Sequence, residues 1–325
     1  MLALLVCGMG RQTGEAELQA VPAEPEAAVE SVQEAPTEAP ERKIQRFVVH
    51  QCSLEEEKIA GDAATEVTVT VAGQPETMNL QDYLVGVLMG EMPASYPLEA
   101  LKAQAVAART YTLRRMQGGG ILSDDPTVCQ AYVPVSQAQE KYGDQTEEYL
   151  AKLRQAVEDT DGQVLCYQGE LISATYFSCS GGRTESAQAV WGGQVPYLVS
   201  VESPGEEDAS GYASTVTMTP AEVCQRLGVE DLGVASVTYT DGGGVETMVI
   251  GGQTFSGTQL RSLLELRSTK FRMEVGAETV TFSVEGYGHR VGMSQNGARV
   301  MAEAGSGYRD ILTWYYTGVE IVDNT

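Results

Sequence analysis

Between Thr13 and Pro40 the chain is dominated by Glu, Ala and Pro, with almost no large apolar side chain. Such a stretch cannot bury a core, and its like charges repel along its length, so it is predicted to be a disordered tether. Folded structure is thereby confined to the C-terminal side of the tether, and the first β-rich run, Val67-Thr-Val-Thr-Val71, marks its expected start. The chain therefore divides into residues 1–12, the acidic tether 13–66 and one folded domain over 67–325. Met1–Met9 reads MLALLVCGM, far short of the ~20 apolar residues that span a bilayer. It is read as the tail of a signal or anchor, with Cys7 as a weaker lipidation site because the bulky Val6 precedes it.

Charge and histidine count exclude several chemistries. The net charge of −24 argues against nucleic-acid binding, which needs clustered Lys and Arg. It suits a neutral glycan, or serves only to keep the chain soluble. His50 and His289 are the two histidines, so a three-histidine zinc site cannot form, and HExxH, P-loop and dinucleotide fingerprints are absent. The six cysteines are too dispersed for a CxxC pair and too few for a disulfide scaffold.

The pattern predicts a mixed α/β (α+β) fold, a single elongated ectodomain with a substrate cleft. Gly73–Pro75 turn the first strand, and Asn79 can cap a helix from Leu80 to about Met89 that stops near Pro93. A second helix, about Leu98–Met116, carries Leu98, Leu101, Ala105, Ala108 and Thr112 on one face and ends at Gly118-Gly-Gly120. A helix over Thr146–Thr160 precedes strands at Gln163–Tyr167 and Leu171–Phe177. Residues 205–275 read as a smaller α/β insertion. Strand Val280–Val284, a glycine-rich loop, a helix from Ser294 and a helix–strand pair over Tyr308–Val322 complete the domain.

Three ordered strings stand out. The first is Leu80-Gln-Asp-Tyr-Leu-Val-Gly-Val-Leu-Met-Gly-Glu-Met-Pro93, continuing through Pro97-Leu-Glu-Ala-Leu-Lys-Ala-Gln-Ala-Val-Ala-Ala-Arg-Thr-Tyr111. The second is Tyr176-Phe-Ser-Cys-Ser-Gly-Gly-Arg-Thr-Glu185, with Val190-Trp-Gly192, Pro196-Tyr-Leu198 and Val201-Glu-Ser-Pro204. The third is Gly286-Tyr-Gly-His-Arg-Val-Gly-Met-Ser-Gln-Asn-Gly-Ala298. Together, over about Val67–Val322, they closely resemble the stage II sporulation protein D family, whose domain is shared with the amidase-enhancer proteins.

The resemblance implies a lytic transglycosylase that cuts peptidoglycan between N-acetylmuramic acid and N-acetylglucosamine, preferably on strands stripped of stem peptides, leaving 1,6-anhydro ends. It implies work outside the membrane during sporulation and engulfment, with a peptide-removing amidase and a membrane scaffold protein as partners. It also keeps open a non-catalytic glycan-binding module that enhances an amidase. The family's proposed catalytic glutamate falls on Glu91. One carboxyl can serve that reaction, because the sugar's own 6-hydroxyl is the nucleophile, whereas a hydrolase normally needs two carboxyls. Burial at the end of an apolar helix would raise the pKa of Glu91, as a general acid needs. An exposed helix-end carboxylate is the plain alternative.

Lys102 and Arg109 share a helical face. Arg109 could bind the lactyl carboxylate of muramic acid bidentately, or form a structural ion pair, for example with Glu99 or Glu185. Tyr197 matches a site tyrosine of the family, but Val199 stands where the family often has lysine. Ser180, His289 and Gln295 are further candidates for substrate contact, with loop-fixing hydrogen bonds the alternative for the last two. Trp191 and Tyr176 could stack on sugars or pack in the core. Some family members bind zinc near the string seen here as Cys129-Gln-Ala-Tyr132. The histidine expected before it is absent, so no metal or other cofactor is expected. Cys129 and Cys179 are then a disulfide or two buried thiols. A Cys179–His289 peptidase is the competing enzyme reading, weakened because Cys179 does not open a helix.

Overall fold

The computed structural model describes residues 61–322. The expected anchor remnant (1–12), most of the expected tether, through residue 60, and residues 323–325 lie outside them. Helices and strands alternate irregularly along the described chain, in the mixed α+β manner expected. Folded structure starts earlier than the β-rich run suggests. A short 3-10 turn, Asp62–Ala64, precedes the first strand, and Asp62 is buried. Its carboxylate has a partner 47 positions away, Arg109, which no local pattern reveals.

Strand β1 (Glu66–Val71) turns back through left-handed Ala72 and Gly73 into the antiparallel β2 (Gln74–Asn79), and on its other edge pairs in parallel with Leu122–Ser123. Val67 and Val69 point into the core. The Asn79 side chain then accepts from the Asp82 N–H at 2.7 Å, so the expected cap starts helix α1 (Leu80–Glu91). From Tyr83 to Met89 every residue of α1 is buried, so the helix is enclosed on all sides there. It runs two residues past its expected end, and Met92 leaves it in extended conformation before Pro93. The residue before a proline is pushed out of the helical region, so Glu91 becomes the last helical residue.

Helix α2 (Leu98–Gln117) is the axis of the main core. Ala100, Ala103, Ala105, Ala107 and Ala108 are fully buried. Small side chains let helices Thr146–Glu158, Gln295–Glu303 and Tyr308–Tyr315 pack around it. These elements and α1 share one hydrophobic cluster.

A second cluster lies in the predicted insertion and includes Val223, Met248, Phe255, Leu260, Phe271 and Phe282. Its helices, Pro220–Leu227 and Gly257–Leu263, both begin with capping boxes, on Thr219 and Ser256. The second cluster continues past 275, the expected end of the insertion. Strand Val280–Glu285 is the centre of a three-stranded sheet between Ala213–Met218 and Lys270–Val275. Val280, Phe282 and Val284 alternate inward into this second cluster. The strand is paired along both edges, so it belongs with the insertion and not with the glycine-rich loop after it.

Candidate active site

Glu91 closes α1, and what it meets is decided by two glycines on that helix. Gly86 and Gly90 are four apart and so lie on one face. A Cβ at Gly90 would fall 2.7 Å from the Ala131 backbone, and one at Gly86 would fall 2.3 Å from the Tyr132 ring. Glycine inside a helix costs about 1 kcal/mol relative to alanine, and here it lets residues 130–133 lie directly on the helix. The result is a hydrogen bond from the Ala131 N–H to Glu91 Oε1 at 2.6 Å. Gln295, the first residue of helix Gln295–Glu303, donates its side-chain amide to Oε2 at 3.1 Å.

This carboxyl faces a cleft of about 600 Å³. The cleft is lined by the end of α1, residues 126–131, residues 175–178, residues 287–289 and Gln295. Among the described residues of this lining, Glu91 is the single carboxyl group and His289 the single basic side chain. Burial in these neutral surroundings pushes the Glu91 pKa above the ordinary carboxylate range. The Ala131 N–H and the Gln295 amide pull it back only in part. The nearby Tyr176 hydroxyl gives its one proton to Gln130 Oε1 at 2.7 Å.

His289 sits between Phe177 and Trp191, with ring centroids 5.7 and 5.3 Å away. Its Nδ1 accepts from the Val291 N–H at 3.1 Å. Burial first, and the nearby Arg261 charge second, push its pKa down to about 4. The imidazole is therefore uncharged at neutral pH and leaves the cleft without a built-in cation.

Of the residues expected at the site, Glu91, His289 and Gln295 line this one cleft, and so does Tyr176, one of the two candidate stacking rings. Arg109, Lys102, Tyr197 and Ser180 do not. Arg109 is fully buried and gripped by Asp62 at 2.6–2.9 Å, so the ion-pair alternative holds, with a partner other than Glu99 or Glu185. Lys102 lies 2.9 Å from Asp159 and 3.2 Å from Glu99. Tyr197 packs on Tyr167, and its hydroxyl accepts from the Ser173 N–H. Ser180 is buried, where both its N–H and its hydroxyl donate to Glu206. Ser203 and Ser294 also donate to that carboxylate, at 2.5 and 2.9 Å. Glu206 thus ties the 178–182 loop to the Ser294 cap of the helix that carries Gln295. Sequence reasoning missed Glu206, Gln130 and the Ala131 N–H. The paired helix glycines were the legible signal for the last.

Among the described cysteines, Cys129, Cys179 and Cys224 are free thiols. Cys179 is buried, accepts from Asn296 and lies outside the cleft lining, and burial pushes its thiol pKa up. Those are poor credentials for a nucleophile. Among the described residues no three His, Cys, Asp or Glu side chains converge on a possible metal position. No described helix is long and apolar enough to cross a membrane.

Residues 70–167 match the family model for stage II sporulation protein. That span holds α1 with Glu91, all of α2, and the Gln130–Ala131 segment. Stage II sporulation protein D of Bacillus subtilis (strain 168) is 40% identical over 257 residues, covering 76% of this chain and 75% of that protein. The chain belongs to the stage II sporulation protein D family. The family's counterpart in Bacillus amyloliquefaciens aligns over the same shares at 40% identity. The amidase enhancer of Bacillus subtilis (strain 168) is 30% identical over 303 residues, 73% of this chain but only 40% of that longer protein.

The surroundings of Glu91 set its titration. Burial favours the protonated form, so the carboxyl should lose its proton at higher pH than a solvated glutamate does. Gln295 stabilises the ionised form, as its amide donates to it. Gln295→Leu should therefore move the titration of this carboxyl to still higher pH, as followed by its NMR shift. A titration unmoved in that variant would detach Gln295 from the carboxyl.

Proposed function

We propose that the chain is a peptidoglycan lytic transglycosylase acting outside the cytoplasm, with Glu91 as its acid and then its base. The supporting observation is a lone, desolvated carboxyl on a neutral cleft. Protonated Glu91 gives its proton to the glycosidic oxygen. The bond from that oxygen to the muramic anomeric carbon breaks, and the electron pair leaves with the oxygen. The sugar's 6-hydroxyl oxygen attacks the anomeric carbon, and its proton passes to the Glu91 carboxylate, which restores the acid. No second carboxyl is needed, because no water is activated. Ala131 and Gln295 hold the carboxyl in place and stabilise it between the two steps.

Sporulation is the setting that the named relatives suggest, with peptidoglycan strands as substrate and a peptide-removing amidase and a membrane scaffold as partners. The amidase-enhancer relative supports a second reading, a glycan-binding module that assists an amidase without cutting. One experiment separates them. Stripped glycan strands are treated with the purified protein alone, and the products are read by mass spectrometry. Ends lighter by one water than reducing ends are expected. Reducing ends alone would make this a hydrolase, and binding with no cleavage would favour the module.

A further inference from the structure

With Arg109 buried, the cleft lining holds no cation for an acidic group on the glycan, yet two arginines stand at its edge. Tyr287 lines the cleft and is 44% exposed. The Arg267 guanidinium lies over its ring, 5.1 Å from the centroid. The Arg267 carbonyl accepts from the Gly288 N–H at 3.0 Å, which fixes its backbone to the loop that carries His289. Gly211, at φ +103°, leaves the room: a Cβ there would sit 3.2 Å from Arg267 Nη1 and 3.4 Å from the Tyr287 ring. Arg261, on helix Gly257–Leu263, is half-buried, and its charge acts on both Tyr287 and His289.

Among the described residues neither Arg261 nor Arg267 takes part in an ion pair or a side-chain hydrogen bond to a carboxylate. Arg109, Arg183, Arg226, Arg290 and Arg299 do, whereas Arg114, Arg115, Arg154 and Arg272 share this lack of a carboxylate. In a chain with 45 acidic and 21 basic residues, two arginines left without a carboxylate beside one tyrosine are open to an outside anion. A guanidinium is built for a carboxylate, which it meets with two parallel N–H bonds. A ring already beneath it reduces the freedom it must lose on binding.

We infer that Arg267 and Arg261 form a carboxylate subsite at the rim of the cleft, which takes the free lactyl carboxylate of a muramic residue while Tyr287 packs on the sugar. The subsite rests on the proposed function for its substrate. It supplies a cause for choosing among strands. Where a peptide is attached, the lactyl group is an uncharged amide and carries bulk, so the arginines lose their partner.

The test is equilibrium binding to Glu91→Gln protein, which does not turn over. The probes are a muramic-containing tetrasaccharide with free lactyl carboxylates, the same sugar as its lactyl carboxamide, the same strand with intact stem peptides, and chitotetraose. The carboxylate probe should bind about tenfold more tightly than the carboxamide or chitotetraose, roughly one charge-assisted contact. Arg261→Gln/Arg267→Gln should erase that preference and leave carboxamide binding within about twofold. A preference that survives in the double variant, or none in the parent, overturns the subsite. Tightest binding by the peptide-bearing strand moves the anion to the peptide and also overturns it. Failure of the proposed chemistry looks different: wild-type protein would form no anhydro ends while the carboxylate preference stood.

Discussion

Glu91→Gln should lose about 10²-fold or more in glycan cleavage, the usual scale of a general acid, without losing stability at neutral pH. The side chain makes two contacts, an acceptor bond from Ala131 and one from Gln295. Glutamine keeps an acceptor for the first, and Gln295 can turn its carboxamide to accept from the new amide. The stability expectation comes from linkage. Burial raises the folded-state pKa of Glu91 above its unfolded value, so folding favours the protonated form. The stability this confers is complete below the unfolded pKa and is lost as pH rises through the folded pKa. The variant has no such loss. Its melting temperature, set against wild type, should therefore gain steadily as pH is raised from acid to neutral. Parallel melting curves across pH would mean that the carboxyl is solvated in the folded protein, and the acid role would fall with it.

Removing the buried cation should have the largest effect on stability. Arg109→Met leaves Asp62 as a buried charge without its partner, and about 3–5 kcal/mol should be lost. Arg109 also donates to the backbone carbonyls of Val157 and Gln163. It thereby binds the first turn of the fold, α2, the end of helix Thr146–Glu158 and the approach to strand Val164–Tyr167. Urea unfolding measures the loss. Arg109→Met/Asp62→Leu should cost less than the single change, because no charge is then stranded. Cleavage per folded molecule should persist at temperatures where the variant is folded. Full stability combined with weak glycan binding would return Arg109 to the substrate.

How far the sequence could be read depends on where the controlling contacts lie. The Asn79 cap and the apolar α1 are local patterns, and they place Glu91 at a helix end beside the proline that stops it. Lys102 and Arg109 share a face by spacing alone, but spacing does not say what that face meets. α2 is enclosed by other helices, so its arginine turns inward to Asp62. Strand β2 has no signature of its own, because Gln74–Asn79 is mostly exposed and carries no alternation, its pairing being imposed by β1 and the turn. Glu206 looks like a surface residue in an acidic run. It is buried because hydroxyls from Ser180, Ser203 and Ser294 converge on it from separate segments. Strand Val280–Glu285 is legible as a strand, but its membership of the second core depends on partners at Ala213–Met218 and Lys270–Val275.

The contact of residues 130–133 on Gly86 and Gly90 sets how this site can drift over generations. The group that holds Glu91 is a main-chain N–H, so it survives any replacement at position 131, proline excepted, that leaves the backbone in place. The helix side has no such latitude, since the first carbon of any side chain at 86 or 90 meets atoms already there. Tolerance is therefore lopsided across one interface. The loop can change its chemistry, and so its taste for sugars, while the two glycines keep the acid's surroundings constant.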